Sequence, residues 1–178
     1  MASEQETGGW SLLRMTPQSP RSIATGKLLS VAWTMVLVLL GTLPGYLVMI
    51  YLKPVLRQEV LLVVGSLLLA SLFTMLTSAA IGSFFRRSTP ATMTAYAVLT
   101  LLTAVPILIW LGRDAPFGFR VVETALLLDP MASALSIMQT RGFEHYRLVP
   151  GNWYFLAGGS ILGLLVFWLR TWRLSRPD

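Results

Sequence analysis

Cysteine is absent from the 178 residues, which removes two frameworks at once: no disulfide can staple the chain and no thiolate can hold a metal. Charge is scarce as well. Only 12% of the residues are Asp, Glu, Lys or Arg, against the near 25% usual in soluble domains, while 54% are hydrophobic. A chain of this size has too little polar surface to wrap that apolar mass in water. Histidine occurs once, as His145 next to Glu144, so paired imidazole ligands and an HExxH motif are excluded. No GxSxG nucleophile elbow occurs. Gly26-Lys27 lacks the upstream glycine of a phosphate-binding loop and is followed by Leu28, so nothing here cradles ATP phosphates. The net charge of +6 does not point to nucleic acid, because the basic residues form no patch or run. They sit between apolar segments.

That punctuation organises the chain. No residue ionisable at neutral pH falls within Leu28 to Leu52, Val60 to Phe85, Ser88 to Gly112, or Leu148 to Leu169. About 20 helical residues cross a hydrocarbon core of about 30 Å, so each stretch is long enough to span a bilayer. None alternates in the two-residue period of a barrel strand. The expectation is an all-α, polytopic membrane protein forming one transmembrane domain, with spans near residues 24–52, 59–85, 89–112 and 152–172.

Arginine placement sets the expected orientation. With the N-terminus inside, the cytoplasmic side holds Arg14, Arg21, Lys27, Arg86, Arg87, Arg170, Arg173 and Arg176. The outer side keeps Lys53, Arg57, Arg113, Arg120, Arg141 and Arg147, four of them in a long loop where the positive-inside rule weakens. Both termini are therefore placed in the cytoplasm, in the cell (inner or plasma) membrane. Residues 1–22 contain Glu4, Glu6, Gly8, Gly9, Pro17 and Pro20 and lack the apolar core of a signal peptide. Trp10, Leu12, Leu13 and Met15 suit a short amphipathic turn at the interface, and Ser19-Pro20 reads as an N-cap followed by a first-turn proline.

Inside the spans the sequence offers packing features. Gly41 with Gly45, Ser66 with Ala70, Ser78 with Gly82, and Gly159 with Gly163 repeat the small-xxx-small spacing that lets helix backbones approach; plain packing is the simpler reading, and a substrate-lining role the other. Pro44 and Pro106 each remove a backbone donor within a span and mark expected kinks. Trp33, Trp110, Trp153, Trp168 and Trp172, with Tyr51 and Tyr154, lie mostly near span ends and read as an aromatic belt. No acidic or basic group interrupts a span, which argues against a proton-coupled carrier but leaves open sodium sites made of carbonyls and hydroxyls.

Residues 113–151 are too polar to cross. Within them, Val121, Val122 and Ala125 to Leu128 form a short apolar run, Asp129-Pro130 supplies a turn, and Met131 to Met138 form a second run. Runs of this length suit a re-entrant helical hairpin dipping into the outer leaflet; an ordinary outer loop is the alternative. Glu123, Asp129, Glu144 and His145 are the acid-base candidates on that side, and a solvated loop is the simpler home for His145 and Glu144.

Residues 4–27, EQETGGWSLLRMTPQSPRSIATGK, place an acidic start before a glycine, a Leu-Leu pair, a Thr-Pro-Gln-Ser turn and a Gly-Lys entering the next span. This order resembles the cytoplasmic segment of ABC-2 type permeases, the membrane subunits of a large class of ABC exporters. Gly82 to Thr92 resembles that family's short cytoplasmic turn, and Leu128-Asp129-Pro130 its re-entrant region. The resemblance covers essentially the whole chain. It implies a non-catalytic permease subunit, paired as a homo- or heterodimer in the lipid bilayer, with no nucleic-acid partner and no cofactor of its own. ATP and Mg would be held by a separate ABC ATP-binding subunit, contacted through Glu4, Glu6, Trp10, Leu13 and Arg14 in a coupling helix. Cargo in the family ranges over lipids, polysaccharides, drugs, peptides and ions. Family members usually carry six spans, two of them ahead of the coupling segment; the resemblance is to the C-terminal four-span portion. Two other readings stand beside it: a non-transporting membrane scaffold or assembly subunit, and a small enzyme using Glu123, Asp129 or His145.

Overall fold

The computed structural model describes residues 20–85, 87–113 and 116–174. Four of its helices are long and apolar enough to cross a membrane. Helix α1 runs Pro20–Leu52, and a single 3-10 turn at Pro54–Leu56 leads into α2, Arg57–Gly82. Then come α3, Ser88–Leu111, two short helices, α4 (Phe119–Leu126) and α5 (Ala132–Ile137), and finally α6, Gly151–Leu174. No strand occurs among the described residues. The chain is thus a membrane-embedded, multi-pass helical protein.

The first helix is described from Pro20 onward. At 33 residues and about 1.5 Å per residue it is about 50 Å long, well beyond the hydrocarbon core. Pro44 and Pro106 each stand inside an unbroken helix, Pro44 exposed and Pro106 buried. Helix α2 ends at Gly82, three residues before the expected limit of the second span, because Ser83 closes it. The Ser83 amide donates to the carbonyls of Ala79 and Ala80, and its hydroxyl donates to Ala80 O at 2.6 Å.

Helix α2 is the hub. It packs most extensively on α6 and also touches α1, α3 and α5. In lipid the hydrophobic effect does not drive such pairing, so close fit and hydrogen bonds must. The α2/α6 seam supplies both. Gly159 faces Phe73 so closely that a Cβ there would lie 2.4 Å from the ring, and a Cβ on Gly163 would lie 3.2 Å from the Leu76 backbone. Ala70, Phe73 and Leu156 form the buried cluster of the seam, and Phe155 tilts its ring against Phe73 at 5.8 Å. The indole N–H of Trp153 donates to Ser66 Oγ at 2.9 Å, tying the first turn of α6 to α2. Of the small-residue pairs, Ser66/Ala70 and Gly159/Gly163 therefore serve this seam, whereas Gly41 and Gly45 have nothing within 4 Å.

Most span hydroxyls close on their own helix. Ser66, Ser160 and Thr171 each donate to the carbonyl four residues back, and Thr42, Ser71 and Thr74 to the one three back. This satisfies their polarity where no water could do so. At the opposite end of the bundle from the short helices, the Arg170 guanidinium sits 4.1 Å above the Phe84 ring. The end of α6 and the end of α2 thus lie together.

Candidate functional site

The segment between α3 and α6 is a folded cap. Helix α4 is amphipathic: Val122 and Leu126, one turn apart, are buried, while Arg120 and Thr124 are exposed. With Ala132, Phe143, Tyr146 and Leu148 they form a core closed by Ile109, Trp110, Leu127 and Leu135. Each fully buried leucine or valine in such a core is worth about 1.5–3 kcal/mol. An ordinary loop would bury no such core.

Aromatic stacking fixes the cap on the bundle. Trp110, at the end of α3, stacks on Phe143 at 4.8 Å, donates its indole N–H to Gly142 O at 3.1 Å, and carries the Arg113 guanidinium 4.7 Å from its ring. Phe119 stacks on Tyr146 at 4.9 Å, and Ser136 Oγ donates to Tyr146 O at 2.7 Å. Gly142 is required where it is: its φ is +92° and a Cβ would lie 2.6 Å from Trp110.

Asp129 and Pro130 form the turn between α4 and α5, and both are buried. Asp129 Oδ1 accepts the Met131 amide at 3.0 Å, which pins the start of α5. Asn152, in the first turn of α6, is completely buried and donates its Nδ2 to Leu127 O at 2.9 Å and Asp129 O at 2.8 Å. Two carbonyl acceptors fix the amide's orientation, leaving its Oδ1 as an acceptor. Asp129 Oδ2, Ser133 Oγ and Asn152 Oδ1 are all buried without a hydrogen-bond partner in the protein. Burial pushes the Asp129 carboxyl up from its ordinary value, opposed by the Met131 amide. Among the described residues no charged side chain contributes to that shift.

The sequence-derived candidates separate. Asp129 and Pro130 come together with Asn152 at the base of the cap; Glu123 is half-buried on α4, and Glu144 and His145 are exposed. Among the described residues no three His, Cys, Asp or Glu side chains gather to hold a metal. Glu4, Glu6, Trp10, Leu13 and Arg14 lie outside the described residues. Asn152 and Ser133 escaped the sequence reading. A lone Asn at a span boundary and a Ser in an apolar run carry no spacing signal; only their zero exposure singles them out. Comparison with protein-family models, with curated proteins and with solved structures finds no match to this chain.

Proposed function

We propose that this chain is the membrane-spanning permease subunit of an ATP-driven ABC exporter. In this reading a separate nucleotide-binding subunit hydrolyses ATP with Mg, and its closure moves the segment carrying Glu4, Glu6, Trp10, Leu13 and Arg14. The observation that carries the reading is a packed two-helix cap turned at Asp129-Pro130 between the third and fourth spans, the place where the resemblance calls for a re-entrant region. Exposed Phe117, Phe119, Val121, Leu128, Met131 and Met138 suit immersion of this cap in the outer leaflet. Large lateral faces support a paired assembly: no described side chain of α1 is buried, and α3 buries little beyond Ala91, Ala95 and Pro106. A second permease subunit would cover part of this surface and lipid the rest. Both termini lie in the cytoplasm of a cell-membrane protein, by the positive charge shared between the α2–α3 turn and the end of α6.

The test is a pull-down of the tagged chain from detergent-solubilised membranes, followed by an ATPase assay on what co-purifies. An ATP-binding subunit whose hydrolysis is stimulated by the chain is expected. Changing Glu6 or Trp10 should lower that stimulation while leaving membrane insertion intact. A well-folded chain that brings down an unrelated complex and no ATPase favours the scaffold reading instead.

A further inference from the structure

We propose that Asp129, Ser133 and Asn152 form a buried site for one small, hard monovalent cation, of the size and charge of sodium, at the junction of the outer cap with α6. Three oxygens of the right kind lie there: a carboxylate Oδ2, a hydroxyl and an amide carbonyl. Their residues have zero exposure, and none of the three atoms has a hydrogen-bond partner in the protein. Native folds leave few such groups unsatisfied, and three in one turn and the helix packed on it need a common explanation.

They belong to one place. Asn152 Nδ2 is held against the Leu127 and Asp129 carbonyls, Asp129 Oδ1 is held by the Met131 amide, and Ser133 is the second residue of α5, four positions after Asp129. Asp129 and Asn152 thus meet at the turn, and Ser133 lies in the first turn of the helix that follows it. A proton on Oδ2 could serve one neighbour at most, whereas an ion that draws the three oxygens together would serve them all. Hard cations are held by such oxygen donors. One carboxylate without a basic partner matches one positive charge, and a divalent ion would leave an excess charge in a low-dielectric setting. The span hydroxyls that bond back to their own helices are not available for this role. The site stands on this geometry alone, whether or not the chain serves an exporter.

The experiment measures the thermal unfolding midpoint of the full chain in detergent, with sodium chloride replaced stepwise by choline chloride at constant ionic strength. Sodium should raise the midpoint saturably, by about 5–10 °C once it is about 100-fold above its Kd. Asp129→Asn should abolish the sodium response, and Ser133→Ala should raise the half-maximal sodium concentration at least about tenfold. Asp129→Asn should still fold in choline, since the amide removes an uncompensated buried charge, and gel filtration checks that it does. Equal midpoints in sodium and choline, as an internal water at these oxygens would give, overturn the proposal. So does a sodium response that Asp129→Asn retains.

Discussion

Replacing Gly159 by alanine tests the physical account of the α2/α6 seam. The added methyl would lie 2.4 Å from Phe73 Cε2 and 2.9 Å from Cδ2, both well inside the roughly 3.5–4.0 Å at which carbon atoms attract, the nearer by more than 1 Å. The ring has little room to yield, because it is 5% exposed and wedged among Ala70, Leu156 and Phe155. Either Phe73 leaves its rotamer or the helices part, and overpacking of this kind costs about 1–3 kcal/mol. Gly158→Ala is the internal control. That neighbour meets nothing within 4 Å, so its methyl points into open space and the change should be neutral to stabilising, by up to about 1 kcal/mol through helix propensity alone. A double-mutant cycle then isolates the clash. Phe73→Leu shortens the obstructing side chain, so the pair with Gly159→Ala should be less destabilised than the sum of the singles by about 1 kcal/mol or more. Reversible unfolding in mixed micelles, followed by circular dichroism or by the fluorescence of the tryptophans, supplies the free energies. Indistinguishable Gly158 and Gly159 variants, or a cycle additive to within about 0.5 kcal/mol, would refute the packing argument.

Three further outcomes are expected. Asn152→Ala strips the donors from the Leu127 and Asp129 carbonyls and should destabilise the protein by about 2–4 kcal/mol, read by the same unfolding assay. Gly142→Ala forces a side chain onto a positive φ and into Trp110, so limited proteolysis should cut the cap faster than in the parent while the spans stay protected. Because the chain has no cysteine, single thiols report topology cleanly: Thr89→Cys and Gln139→Cys, both exposed, should react with an impermeant maleimide from opposite sides of the membrane. Labelling of both from one side would refute the alternation of the spans.

The spans were legible because each long charge-free run leaves the backbone one way to satisfy itself in hydrocarbon, and the ends of α1, α3 and α6 fall within a few residues of where charge resumes. The two short helices and their turn were legible for a similar reason, since Asp129-Pro130 interrupts two apolar runs. What joins the cap to the bundle was not. Trp110 read as a membrane-interface anchor, yet its indole is committed to Gly142, thirty-two residues away in sequence. Trp153, also assigned to the belt, instead bonds Ser66 across the seam. Nor does spacing distinguish Gly159, which Phe73 overlies, from Gly41, which faces nothing; that difference lies in the partner helix.

The bareness of α1 bears on how freely its sequence can drift. A helix that buries none of its described side chains within its own chain is constrained by solubility in its surroundings more than by fit, so one apolar residue can stand for another along much of its length. The α2/α6 seam is held to particular volumes at Phe73, Gly159 and Gly163. A saturation scan should therefore show two regimes in one molecule: broad hydrophobic tolerance along α1, broken where it meets α2 or where another chain is gripped, and narrow tolerance along the seam. A tight position on α1 away from its contacts with α2 and α6 would mark, residue by residue, the footprint of a neighbour.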